Sequence, residues 1–259
     1  MRDSGRYGAA VHPTPPETAE PEWDPAAIPA ATVVVLRSRP ALEVLLLQRS
    51  EDVSFARGAW VFPGGRIDPS DAAGGTGVEA SARNAAVRET HEETGLTIAT
   101  DDLTRWSHWT PPERAGRRYT TAFFCVDITK TSAADESAEV TVDGTEIVAH
   151  EWFTPAAAMA ARDAGRITLT PPTFITLSQL SRFTRTAQAI EHARCRPVEH
   201  FATRIGVDGD TWIALYHGDV AYEHAELGPP ATEFLHAKGG RHRLLMGPTW
   251  AYQRSAATE

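Results

Sequence analysis

Three glutamates in one short stretch have the types and spacing that could do chemistry. Glu92 and Glu93 lie three and four residues after Glu89. In an α-helix, positions three and four apart share a face, so the three carboxylates can point at one place. Such a group repels itself unless a cation binds, and carboxylate oxygen is the ligand type that Mg²⁺ prefers while keeping waters beside substrate phosphates. The spacing therefore indicates a magnesium site and phosphoryl chemistry.

The neighbouring residues predict the helix that must position these acids. Arg88 directly precedes the first of them, where a guanidinium can hold carboxylates through paired hydrogen bonds, so its expected role is orientation. Thr76 and Glu79 have capping-box spacing, and Gly95 lies where a left-handed residue ends a helix. We therefore predict a helix over residues 79–94.

The sequence RETHEETGL, from Arg88 to Leu96, resembles the second half of the Nudix box, GX5EX7REUXEEXGU, in which U is apolar. Thr90 departs from the pattern at a position that is usually apolar. Counting back eight residues from Arg88, the place of the first glutamate of the box holds Ala80, and Glu79 is one residue away. A looped-out DPSDAAGGTG insertion would let Glu79 take that place.

The resemblance implies a set of metal ligands and catalytic residues. The implied ligands are Glu89, Glu92 and Glu93. The carbonyl of Gly65 is a further candidate, because a Gly-Gly turn lets backbone approach a ligand closely. The implied ion is Mg²⁺, with Mn²⁺ as an alternative. Arg88, Glu92 and Glu93 are the expected catalytic residues of the box.

The identity of the general base is open between two kinds of glutamate. In relatives it is either a box glutamate or a glutamate in a loop across the cleft. Glu146, six residues before Trp152, is the first loop candidate, and Glu139 is the second. A base must lie within hydrogen-bond distance of the attacking water, which sequence does not give.

Blocks outside the box resemble a narrower branch, the coenzyme A and acyl-coenzyme A diphosphatases, including the mammalian peroxisomal form. They are VLLLQRS at 44–50, FARGAWVFPGG at 55–65, WTPPERAGRRYTTAFF at 109–124 and LTPPTFITLSQL at 169–180. This branch implies Mg²⁺-dependent hydrolysis to 3′,5′-adenosine bisphosphate and (acyl)phosphopantetheine. The alternatives are a Nudix diphosphatase for ADP-ribose, NADH or nucleotide sugars, and a noncatalytic nucleotide-binding regulator supported by the displaced first glutamate.

A coenzyme A substrate needs cations for its 3′-phosphate, and guanidinium groups suit phosphate. Two groups of arginines are candidates for substrate binding. The first is the basic segment Arg114, Arg117 and Arg118, and the second is Arg49 and Arg57, which flank the loop before Ala59.

The net charge, the cysteines and the absence of long apolar runs in the sequence indicate which partners and which cellular compartment to expect. The 259 residues carry a formal net charge of −9, which gives no basic footprint for nucleic acid. Cys125 and Cys195 have no CxxC spacing, as expected in a reducing compartment. No apolar run is long enough for a membrane span, and the C-terminus SAATE lacks a peroxisomal SKL address. We expect a cytoplasmic protein acting on a small nucleotide diphosphate, with a homodimer allowed by the resemblance.

The chain divides into three parts by composition. Residues 1–28 are rich in proline and predict a flexible arm, partly pinned by Trp23. Residues 29–197 predict an α/β Nudix domain, an α/β/α sandwich with a mixed sheet, in which the architecture comes from the resemblance. Residues 198–259 predict an extension of short strands packed on that domain. Among the individual elements are a strand at 97–100 and one long helix at 172–193.

Overall fold

The computed structural model describes residues 23–53, 56–72, 77–113, 115–116, 118–131, 139–142, 144–225 and 229–255. The strands are β1 (Ile28–Ser38), β2 (Leu42–Arg49), β3 (Ala59–Val61), β4 (Gly64–Arg66), β5 (Thr104–Thr110), β6 (Tyr119–Asp127), β7 (Ile147–Phe153), β8 (Thr168–Leu169), β9 (Glu199–Ala202), β10 (Arg204–Asp208), β11 (Thr211–Leu215), β12 (Arg241–Met246) and β13 (Trp250–Ser255). The α-helices are α1 (Val78–Thr94), α2 (Pro155–Asp163), α3 (Pro171–Leu180), α4 (Thr186–Arg194) and α5 (Thr232–His236).

Strands β1 to β9 form one mixed sheet around β1. This strand pairs antiparallel with β2 and β4, and parallel with β6. Strand β2 extends the sheet to β3 and β7, while β5 connects β6 to β9. The short β8 pairs with β3. The mixed sheet of the expected fold class is confirmed.

Two hydrophobic layers lie on opposite faces of this sheet because alternate residues of a strand point to opposite sides. On β1, Val33 and Val35 pack in the cluster under α1. Val34 and Leu36 pack in the other cluster, which holds residues of α2, α3 and α4. The sheet is therefore enclosed by helices on both faces, as the predicted α/β/α sandwich requires.

Helix α1 packs closely on the sheet through small side chains. Ala82, Ala85 and Ala86 have no solvent exposure. The helix begins at Val78, one residue before the predicted start, and the predicted capping residue Thr76 lies outside the described residues. It ends at Gly95, whose φ of 71° confirms the left-handed terminus.

Two predicted elements are wrong. The β-branched residues at 97–100 do not form a strand, and the sheet instead takes up β5, which begins four residues later at Thr104. The long helix predicted over 172–193 is two helices, α3 and α4. The chain turns between them, where the side chain of Gln188 accepts hydrogen bonds from the backbone N–H groups of Thr184 and Arg185.

The C-terminal strands divide between two sheets. Strand β9 joins the main sheet beside β5, whereas β10 to β13 form a second, antiparallel sheet. Tyr216, which follows β11, is fully buried, and its ring packs edge to face against the rings of Trp109 and Phe201 of the main sheet. The second sheet therefore shares a core with the main domain. Within the described ranges, no helix is long and apolar enough to cross a membrane.

Candidate functional site

Gly64 and Gly65, predicted as a turn, are the first residues of strand β4 in the structure. This Gly-Gly segment, for which the name Gly-Gly turn is kept, contacts two of the three glutamates of α1. The backbone N–H of Gly64 donates a hydrogen bond of 2.9 Å to Oε2 of Glu93. Gly64 has a φ of +152°, and a Cβ there would lie 2.4 Å from the carbonyl oxygen of Ala31, so the position requires glycine. At Gly65, an added Cβ would lie 2.4 Å from the carboxylate of Glu89. The turn and the two acids therefore form one compact site.

The electrostatics of these acids favour a bound cation. Burial raises the pKa of Glu93 to about 8, and the negative charges of Glu89 and Glu146 act in the same direction. Burial also raises the pKa of Glu89, against the opposing effect of Arg88. Desolvation and like charges both disfavour an ionised carboxylate. A cation between these groups would relieve both effects.

Arg88 is held by an acid that the sequence analysis missed. Its Nε and one terminal nitrogen donate hydrogen bonds of 3.0 and 2.9 Å to the carboxylate of Asp71, which is 5% exposed. Burial opposes ionisation of Asp71, but hydrogen bonds from Arg88 and the backbone of Asp68 hold its pKa below the usual value. Five residues separate Gly65 from Asp71, which is the spacing of the box read forward from its glycine. Counting forward would have found it.

The sequence left open whether Glu79 takes the place of the first box glutamate, and in the structure Glu79 pairs with other residues. Glu79 forms ion pairs with Arg83 at 3.6 Å and Arg105 at 3.8 Å. Glu79 lies nine positions before Arg88, and at about 100° per residue that spacing places them on opposite faces of the helix. The extra residues lie between Asp71 and α1, so the insertion leaves the forward spacing of the box intact.

The three glutamates share a side of α1, but they do not converge on one point. One terminal nitrogen of Arg88 donates to Glu89 at 2.9 Å and to Glu92 at 3.0 Å. Glu92 is 55% exposed at its side chain, whereas Glu93 is buried against the turn. Among the described residues, no group of three His, Cys, Asp or Glu side chains is arranged to hold a metal ion.

The donor set nevertheless fits a hard divalent cation in type and charge. Oxygen ligands are available from the carboxylates, and those of Glu89 and Glu93 are the pair against the Gly-Gly turn. Five carboxylates and two guanidinium groups interact around this pair. The acidic groups outnumber the basic ones. The seven residues are Asp71, Glu89, Glu92, Glu93, Glu146, Arg49 and Arg88.

Glu146 and Arg49 reach this group from the sheet side. The two side chains form an ion pair at 3.7 Å, and both influence the ionisation of Glu93. The side chain of Glu146 is 66% exposed. Glu139, the second choice for a loop base, is exposed just before Val140.

The other predicted substrate-binding arginines are placed differently. Arg57 donates a hydrogen bond of 2.9 Å to the carbonyl oxygen of Val53 within its own loop. Arg118 forms an ion pair with Asp24 and a hydrogen bond to the Pro111 carbonyl, which ties the N-terminal segment to the start of β6. The remaining two candidates, Arg114 and Arg117, lie outside the described residues.

Comparison with known proteins relates this chain to one family. A sequence model of the NUDIX domain matches residues 27–171. Putative nudix hydrolase 7 of Caenorhabditis elegans is 25% identical over 188 residues, covering 59% of this chain and 60% of that protein. Acyl-coenzyme A diphosphatase NUDT19 of Xenopus laevis is 24% identical over 235 aligned residues, covering 54% of this chain and 60% of that protein. The chain thus spans 60% of the length of either relative.

A solved structure shows the same fold. The crystal structure of a NUDIX hydrolase from Alicyclobacillus acidocaldarius superposes with a TM-score of 0.55 at 22% identity. The match covers 64% of this chain and 96% of that one. Because the domain match at residues 27–171 takes in more than half of the 259 residues, this chain belongs to the Nudix family.

Proposed function

We propose that this protein hydrolyses the diphosphate linkage of coenzyme A or its acyl esters, with Mg²⁺ or Mn²⁺ as cofactor. The products are 3′,5′-adenosine bisphosphate and (acyl)phosphopantetheine. The observation that carries the proposal is the pair of Glu89 and Glu93 carboxylates held against the Gly-Gly turn, with the Asp71–Arg88 ion pair beside them. This arrangement supplies carboxylate ligands of the type that a hard cation prefers.

Each residue has a separate task in this proposal. A divalent cation held by Glu89 and Glu93 would polarise the diphosphate and acidify a bound water. Glu146 accepts the proton of the water that attacks phosphorus, because it is the exposed carboxylate opposite α1. Arg88 orients Glu89 and Glu92 through its hydrogen bonds, and Asp71 fixes Arg88 from the other side.

The choice of coenzyme A depends on sequence similarity. The four blocks outside the box resemble acyl-coenzyme A diphosphatases, and a relative bearing that name is 24% identical. Among the arginines predicted to recognise the 3′-phosphate, Arg118 adds no support, since its guanidinium pairs with Asp24. A Nudix diphosphatase for ADP-ribose, NADH or nucleotide sugars is therefore the second candidate.

A noncatalytic regulator is disfavoured. Its support was the displaced first glutamate of the box. The Asp71 carboxylate occupies that place with two hydrogen bonds from Arg88. With this partner in place, the charged positions of the box are filled.

A hydrolysis screen tests the proposal. The protein is incubated with Mg²⁺ and coenzyme A, several acyl-coenzyme A esters, ADP-ribose, NADH and nucleotide sugars, and the products are separated by chromatography. We expect both coenzyme A products, none of them with EDTA, and a loss of about 10²-fold or more in kcat for Glu93→Gln. Glu79→Gln is the matched control on the same helix. Cleavage of another diphosphate alone would transfer the proposal to the second candidate, and no cleavage of any would refute it.

A further inference from the structure

Arg49 ends β2 at the point where its buried apolar residues give way to the acidic site. Leu45 and Leu47 are fully buried in the cluster under α1. Arg49 is two residues beyond Leu47, and alternate residues of a strand face the same side, so its side chain faces the side of the sheet that α1 covers. The pairing of β2 with β7 shifts between Gln48 and Arg49, where the extra residue, Val148, lies on β7. Arg49 therefore continues the row of Leu45 and Leu47 toward the acidic end of α1.

The guanidinium of Arg49 forms an ion pair with the exposed carboxylate of Glu146. Its terminal nitrogen is 3.7 Å from Oε2 of Glu146, and the Arg49 side chain is 16% exposed against 66% for Glu146. Burial raises the pKa of Glu93, and the charge of Arg49 acts in the opposite direction. The mostly buried guanidinium therefore interacts with both acids, through an ion pair with Glu146 and electrostatically with Glu93.

The backbone around Glu146 is anchored independently of its side chain. The N–H of Ser50 donates a hydrogen bond of 2.8 Å to the Glu146 carbonyl, and the N–H of Gly144 donates one of 3.0 Å to the Ile147 carbonyl. These bonds hold the backbone of the loop, and the direction of the carboxylate depends on the groups around its side chain. The Arg49 guanidinium, 3.7 Å from Oε2 of Glu146, is one of these groups.

We infer that Arg49 is a positioning residue that directs the Glu146 carboxylate toward Glu93, and that it is not a ligand of the substrate. The inference rests on the proposed function, because it concerns how the base of that site is placed. It replaces the substrate-binding role that the sequence analysis gave to Arg49.

A kinetic cycle separates the two roles. If Arg49 acts through Glu146, Arg49→Gln lowers kcat by about tenfold and leaves KM within about twofold. Glu146→Gln lowers kcat by about 10²- to 10⁴-fold, and the double variant is no slower than Glu146→Gln. Arg49→Lys keeps the charge and recovers most of the loss. A raised KM for Arg49→Gln, with effects that multiply in the double variant, would overturn the inference.

Arg37→Gln is the matched control. Arg37 pairs with Glu43 at 2.7 Å at the opposite end of β2, and its side chain is 23% exposed. Its substitution removes a similar cation from the same hairpin without touching the site. We expect kcat and KM to stay at the wild-type values.

Mn²⁺ binding gives a measurement that does not need turnover. Loss of a positive charge beside Glu93 should tighten Mn²⁺ binding to Arg49→Gln by about threefold or more, measured from the electron paramagnetic resonance signal of the free ion. Arg37→Gln should bind as the wild type does. Unchanged affinity in Arg49→Gln would overturn the inference. If the shift occurs but no diphosphate is cleaved, the proposed function fails while the placement of Arg49 stands.

Discussion

Substitution of Asp71 tests the most specific contact of the site. Asp71→Asn keeps the volume of the side chain but removes its charge and one of its two acceptor oxygens, so Arg88 keeps at most one of the hydrogen bonds of 2.9 and 3.0 Å and loses the ion pair. Each such bond contributes about 1.5 to 3 kcal/mol, and breaking a buried ion pair costs about 3 to 5 kcal/mol. Arg88 retains its hydrogen bonds to Glu89 and Glu92 and is 27% exposed. We therefore expect a loss of about 2 to 3 kcal/mol in the free energy of unfolding.

This loss is measurable by urea unfolding and by thermal denaturation in EDTA. For a domain of this size, about 2 to 3 kcal/mol corresponds to a decrease of about 5 to 10 °C in Tm. The same substitution should lower kcat for the diphosphate substrate, because Arg88 no longer orients Glu89 and Glu92. The pKa of Asp71 is held below its usual value. The stabilising contribution is therefore present above the unfolded pKa of about 4 and is lost as pH falls through the folded pKa.

Glu79→Gln is the matched control for this experiment. Its ion pairs of 3.6 and 3.8 Å are partly exposed, and pairs of that kind contribute about 0.5 kcal/mol. We expect little change in unfolding or in kcat. An equal or larger loss in Glu79→Gln than in Asp71→Asn would refute the assignment of Asp71 as the partner of Arg88.

Two further predictions concern the pH dependence of stability and the glycine turn. Burial, with help from the charges of Arg105 and His200, lowers the pKa of His108 to about 3. The folded protein thus keeps this ring neutral while the unfolded chain takes up a proton below about pH 6.5, so stability should fall as pH decreases from about 6.5 to 3. His108→Gln should flatten this dependence in urea unfolding measured across that range, and an unchanged slope would contradict the role of burial. At the turn, Gly65→Ala forces the Glu89 carboxylate to move and should weaken Mn²⁺ binding by about tenfold or more. Gly116→Ala, at a glycine without a positive φ whose added Cβ meets open space, should bind Mn²⁺ as the wild type does, and equal affinities in all three proteins would argue against Glu89 as a ligand.

The local parts of the site could be read from the sequence. The helix that carries Glu89, Glu92 and Glu93, and its end at Gly95, follow from spacing and residue type over a few turns. Such signals depend on neighbours in the chain, which the sequence displays directly. The family and the fold class followed from the same stretch because its charged positions match a specific pattern.

The contacts between distant segments could not be read in the same way. Whether Arg88 pairs with Asp71 or with Glu79 depends on the rotation of α1 and on the path of the chain before it. The split between α3 and α4 likewise depends on side-chain bonds formed in the turn. The helical propensity of residues 172–193 does not indicate a break between the two helices.

The sequence by itself determined which residues carry charge and that three of them share one side of a helix. Only the tertiary structure decided that Glu93 is buried against Gly64, that Glu92 remains exposed, and that Arg49 lies beside Glu146. The physical reason is that burial and ion pairing arise when β2, β4, β7 and α1 pack together. These elements are separated along the chain, and their approach fixes distances that no local spacing encodes.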